Sequence, residues 1–150
     1  METTDLMIGD FVKVSMNQGA KVEYGRVANL DESGGIDVGV VGEPYSYWNL
    51  DGDDEILPIP LTPEIFKKSG FTLNEEENPI FTIRVYSLEA DDVAVIQRPK
   101  GGWKFMHGKE ASNQNVLFLG DGKFVCMPIQ YVHELQHALR LCGIDKEITL

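Results

Sequence analysis

The chain has 150 residues, 43% of them hydrophobic and 25% charged, a composition suited to a soluble globular fold of one domain or two very small ones. Thirteen Lys and Arg stand against 24 Asp and Glu, for a formal net charge of -11. That balance opposes coating nucleic acid by neutralising phosphates and docking on an anionic membrane surface.

The opening residues, Met1 to Asp10, hold no basic segment followed by a long apolar run, so no secretory signal is expected. No apolar stretch approaches the ~20 residues that cross a bilayer, and Ile144 to Leu150 carry no lipidation motif, so the expectation is a cytoplasmic chain. Cys126 and Cys142 make no disulfide framework and no closely spaced metal-ligand pair; both are expected reduced and largely buried.

Residues 6 to 61 read as short strands joined by turns. Alternation of apolar and polar residues marks Ile8 to Val14 as a strand, and Lys21 to Val27 and Ile36 to Val41 follow as strands between turn signals. Tyr45 to Trp48 is aromatic and strand-prone, and Glu55 to Leu57 follows the Asp51-Gly52 turn. Pro58 and Pro60 confine that last piece to an edge or a strand end. Five short strands in this space suggest a small antiparallel barrel, Src-homology-3-like, or a simple meander. A linking helix is expected over 62–70. Thr62 is a good N-cap, Pro63 suits the first helical position and Glu64 the positive end of the dipole. Gly70 sits where a left-handed residue closes the last turn, with Phe71 packing back.

Asn74 to Pro79 reads as a solvated loop. Ile80 to Leu88, Val93 to Arg98 and Trp103 to His107 are strand-like, the last two joined by a hairpin at Pro99 to Gly102. A second hairpin, Val116 to Leu119 with Phe124 to Ile129, turns at Gly120-Asp121-Gly122, and a helix from Tyr131 to Cys142 ends at Gly143. The expected class is α+β: a β half over 1–61, the linking helix over 62–70, and an antiparallel sheet with the C-terminal helix over 71–150, which together could form one domain.

The last helix contains His133-Glu134-Leu135-Gln136-His137, the H-E-x-x-H pattern of zinc metalloproteases. Two imidazoles four residues apart on a helix can share one zinc ion, and the intervening Glu can deprotonate its bound water. With three His and 13 Glu the pattern arises about 0.005 times per shuffled chain. A catalytic zinc needs a third protein ligand. The extended pattern asks for Gly where Arg140 stands and for His where Gly143 stands. Asp145, Glu147 and upstream His107 are the other donors in view. On the helical wheel Val132, Leu135, Leu139 and Cys142 form one apolar face, while His133, His137 and Arg140 lie opposite. The favoured reading is therefore an amphipathic helix with a solvated polar face, and no cofactor. The alternative is a zinc site with His133 and His137 as ligands and Glu134 as general base.

Other groupings point less far. Asn49, Asp51, Asp53 and Glu55 lack EF-hand spacing and read as a solvated acidic turn. Gly34, Gly35, Gly39 and Gly42 are turn and bulge glycines without a phosphate-binding pattern. Tyr45, Tyr47 and Trp48 could stack nucleic-acid bases, but with few cations nearby core packing is the expectation. Trp103 between Lys100 and Lys104 reads as a basic-aromatic hairpin tip.

Three segments carry a resemblance: Leu6 to Val12, then Glu55 to Glu64 with Gly70-Phe71, then Tyr131 to Gln136. Together they resemble a family of uncharacterised small proteins from gut anaerobic bacteria and their prophages or mobile elements. The match runs through the start, middle and end of the chain, and the middle segment is the most specific. The resemblance implies no established activity. In that family the position of His137 is often Asn and that of Glu134 is not fixed, which implies that the zinc pattern is not a family feature.

The function these residues favour is a non-enzymatic module that binds another protein, with no membrane partner and no direct nucleic-acid binding. Beside it stand the zinc hydrolase and an acidic inhibitor that mimics nucleic acid through Asp51 to Glu55, Glu75 to Glu77 and Asp91-Asp92.

Overall fold

Among the described residues the chain forms two antiparallel five-stranded sheets, two α-helices and a short 3-10 turn at Glu89–Asp91. The computed structural model describes residues 5–16, 18–31, 35–43, 46–50, 54–77, 82–98, 101–108 and 125–150. Contacts divide the chain into two units, residues 1–60 with 131–133, and residues 61–130 with 134–150.

The first unit holds β1 (Phe11–Met16), β2 (Lys21–Leu30), β3 (Ile36–Val40), β4 (Tyr47–Asn49) and β5 (Glu55–Leu57). Their order is β4-β3-β2-β1-β5, a meander whose fifth strand returns to pair with β1. No described pairing joins β4 to β5, so the sheet is open at those two edges. One face is the core, where Val12, Val14, Val27, Ile36 and Val38 are buried with Leu6, and Met16, Leu30, Trp48, Leu50 and Ile56 pack around them. Gly25 lies on this face because nothing larger fits. A Cβ there would sit 2.2 Å from Val38 Cγ1 and 3.1 Å from the Trp48 ring. Ahead of β1, Leu6 to Asp10 turns back on β2. Met7 N–H donates to the buried Asp10 carboxylate at 2.8 Å, and Gly9 N–H donates to the Val27 carbonyl at 2.7 Å.

The second unit begins with α1 (Pro63–Lys68). The Thr62 hydroxyl accepts from Ile65 N–H, Pro63 opens the helix, and Gly70 at φ 77° lets Phe71 N–H reach the Phe66 carbonyl. The backbone N–H of Glu64 and then the Thr62 hydroxyl hold the Glu64 carboxyl below its ordinary value. The helix is more than a connector. Phe66 is fully buried, stacks on Tyr86 at 4.7 Å, and meets Trp103 at 4.9 Å and Phe71 at 5.2 Å.

The sheet beneath it orders its strands β10-β9-β8-β7-β6, consecutive neighbours throughout. These are β6 (Thr72–Glu77), β7 (Thr82–Leu88), β8 (Val93–Gln97), β9 (Trp103–His107) and β10 (Val125–Ile129). Asn74 to Glu77, expected as loop, is strand. Pairing with β7 imposes the extended backbone, and Glu75 meets Arg84 across the ladder at 2.8 Å. Trp103 is buried in the aromatic cluster rather than displayed at a hairpin tip, and Lys100 lies outside the described residues. Val116 to Leu119 and the Gly120-Asp121-Gly122 turn also lie outside them. The closing helix is α2 (Val132–Leu141), ended by Gly143 at φ 74° with Ile144 N–H on the Leu139 carbonyl. No helix among the described residues is long and apolar enough to cross a membrane.

Candidate functional site

Helix α2 displays the three motif residues in different settings. Val132, Leu135 and Leu139 are buried as the apolar face of the wheel requires. His133, expected on a solvated face, is 5% exposed and stacks on the Tyr131 ring at 5.8 Å with 7° between the planes. Gln136 and Ala138 are also buried, so most of the helix circumference is covered. Periodicity finds the apolar stripe, but what covers the rest of a helix depends on neighbours distant in sequence. His137 is half-buried and Arg140 exposed.

Glu134 is engaged by the backbone. Its carboxylate accepts a hydrogen bond from the N–H of Gln130, just before the helix begins. A Glu in the first turn reaching back to a preceding N–H is a capping arrangement, and it places negative charge at the positive end of the helix. Among the described residues no group of three or more His, Cys, Asp or Glu side chains is gathered as a metal ion requires. His107 lies at the end of β9, paired with Val93 and Val125. Asp145 and Glu147 follow the helix end, and Glu147 is exposed.

A second grouping lies on the N-terminal sheet, on the face away from its core. The register aligns Phe11, Arg26, Gly39 and Tyr47 in one row across β1 to β4. Leu57, Lys13 and Tyr24 form the neighbouring row across β5, β1 and β2. Val41, next after the Gly25–Val40 pair, continues that second row. Arg26 spreads over the Phe11 ring, 4.2 Å from its centroid. Gly39 leaves room for the Tyr47 ring, whose nearest atom would lie 3.5 Å from a Cβ at that position. Tyr24 is 50% exposed, Tyr47 60%, and Val22 and Val41 close to half. Of the aromatic trio weighed for base stacking, Trp48 turns to the core, Tyr47 turns outward and Tyr45 lies outside the described residues.

No sequence motif marks Tyr24, Lys13 or Arg26, although alternation in Val22-Glu23-Tyr24-Gly25-Arg26 puts Val22, Tyr24 and Arg26 on one side of a strand. Their alignment with Tyr47 depends on strand register, which no local pattern specifies.

The remaining candidates separate. Asp51 and Asp53 lie outside the described residues, and Glu55 is exposed on β5. Gly42 occupies a turn at φ 89°, Gly35 N–H donates to the Asp31 carboxylate, and Gly34 lies outside the described residues. Cys142 is half-buried, but Cys126 on β10 is exposed, contrary to the burial expected of it; among the described residues β10 pairs with β9 alone. No protein-family model, curated protein or solved structure matches the chain.

Proposed function

We propose that the chain is a non-enzymatic protein-binding module and that the outer face of its N-terminal sheet is the contact surface. The observation that carries this reading is the grouping of Val22, Tyr24, Val41 and Tyr47, all large, apolar and about half exposed, on one sheet face. Tyrosine and arginine are the residues that dominate the centres of protein interfaces, where they bury much area at low entropic cost. An exposed apolar group of this kind marks an interaction site more often than chance surface composition. The return of β5 to β1 supports reading this sheet as a small Src-homology-3-like barrel, a shape that presents such a face rigidly.

Within the second unit, the acidic clusters give the nucleic-acid mimic less support. Glu77 pairs with Thr82 at the start of β7, whereas Asp91 and Asp92 follow its end at Leu88. The length of a strand therefore separates them. The zinc alternative rests on the H-E-x-x-H spacing, and the capping bond of Glu134 favours a structural role for that residue.

A photo-crosslinking amino acid at position 24 or 47 tests the proposal in the native host. Cross-linking to a protein supports it. Cross-links to no protein across growth conditions, or equal cross-linking from exposed positions elsewhere on the unit, overturn it.

A further inference from the structure

We infer that the partner seated on this face presents a carboxylate among apolar side chains, with basic residues to either side; the inference rests on the protein-binding reading above. Residues 1–60 contain 12 Asp and Glu but only three cations, Lys13, Lys21 and Arg26. Lys21, opposite Met16, belongs to the other face by its register. The remaining two, Lys13 and Arg26, stand in neighbouring rows of the outer face, diagonal to each other across β1 and β2.

The two central rows, Phe11-Arg26-Gly39-Tyr47 and Leu57-Lys13-Tyr24, contain no acid. The acids of this face lie one row further out on either side. Glu55 is paired with Ser15, and Asp37 is paired with Asn29, whose amide donates to it at 3.3 Å. The pattern is two exposed tyrosines with two cations, one of them lying over the buried Phe11 ring, bordered by carboxylates. A carboxylate set between Lys13 and Arg26 gains charge-assisted hydrogen bonds, while the acidic border favours Lys or Arg on both sides of it. A polyphosphate strand fits less well, because its charges continue past the centre onto the acidic border.

The probe is a random peptide library displayed on phage, panned on the full chain and counter-selected on the Tyr24→Ser/Tyr47→Ser double variant. The expected result is enrichment of peptides with Asp or Glu between apolar residues and basic residues flanking them. A synthetic copy of the enriched peptide loses about tenfold in affinity for Lys13→Glu, and repanning on that variant replaces the acid by Lys or Arg. Peptides that need both tyrosines but ignore Lys13→Glu overturn the charge inference and leave the contact face standing. Peptides whose binding survives loss of both tyrosines, or no enrichment at all, overturn the contact face as well. Tyr24-dependent binding of oligothymidylate, with no peptide selected, assigns the face to nucleic acid and overturns both. Circular dichroism of each variant shows whether the sheet is retained.

Discussion

The carboxylate of Glu134 accepts a hydrogen bond from the backbone N–H of Gln130, tying the first turn of α2 to the strand end that precedes it. Glu134→Ala is expected to destabilise the chain by about 1 kcal/mol, and Glu134→Gln by less, since an amide oxygen still accepts. Urea unfolding checks both. A base acting on zinc-bound water gives the opposite pattern: full stability in Glu134→Gln, about one equivalent of zinc retained, and hydrolysis lost.

Gly25 and Gly39 lie on opposite faces of the same sheet and predict opposite tolerance. A Cβ at Gly25 falls 2.2 Å from Val38 Cγ1 and 2.9 Å from the Gly39 carbonyl oxygen. A Cβ at Gly39 meets the Tyr47 ring at an ordinary 3.5 Å. Gly25→Ala is expected to cost about 1–3 kcal/mol through overpacking, and Gly39→Ala less than about 1 kcal/mol. Thermal and urea unfolding of the two variants make the comparison.

Phe66 carries helix α1 onto the second sheet through three ring contacts, at 4.7, 4.9 and 5.2 Å. Phe66→Ala is expected to cost about 3–5 kcal/mol, and Phe66→Leu less because it leaves a smaller void. Loss of the near-ultraviolet signal of Trp103 and Tyr86, measured beside urea unfolding, reports the damage locally.

Burial pushes the Tyr86 phenol above its ordinary value of 10.0, with Arg84 pulling the other way. The unfolded chain releases this proton near pH 10 while the folded chain retains it, so stability falls as pH rises beyond about 10. Tyr86→Phe keeps the ring contacts and flattens that decline. Urea midpoints between about pH 8 and 11, wild type against variant, check the slope.

Burial likewise raises the Cys142 thiol above its ordinary value, whereas Cys126 is exposed. Iodoacetamide at about pH 8 is expected to modify Cys126 about tenfold faster, because the thiolate is the nucleophile and access is greater. Mass spectrometry of timed samples resolves the two sites.

What could be read from the sequence was local. Both helix ends were legible because Thr62, Pro63, Gly70 and Gly143 act within a few residues of themselves. The strands of the first sheet were legible from alternation, aromatic content and the turn residues between them, within a residue or two at most ends. Glu75 to Glu77 were not, because acidic residues have low strand propensity and β6 owes its conformation to β7. The burial of His133 was not legible either, since a wheel shows which residues share a side and not what lies against it. The proposed contact face was half legible: each strand announced its outward residues, and only the pairing of four strands, β1 to β4, put Lys13, Arg26, Tyr24 and Tyr47 together.

Strand β2 pairs with β3 through Val27↔Val38 and then Asn29↔Asp37, leaving Ala28 opposite nothing. One supernumerary residue resets the alternation, so Val27 and Leu30, three apart, both reach the core. A chain shortened by Ala28 alone keeps every other β2 side chain on its present face. A deletion at any position from Val22 to Arg26 inverts the faces of the strand between that point and the bulge, or of the part before it. Ala28 is thus the place where β2 can change length by one residue while the core and the tyrosine face both survive.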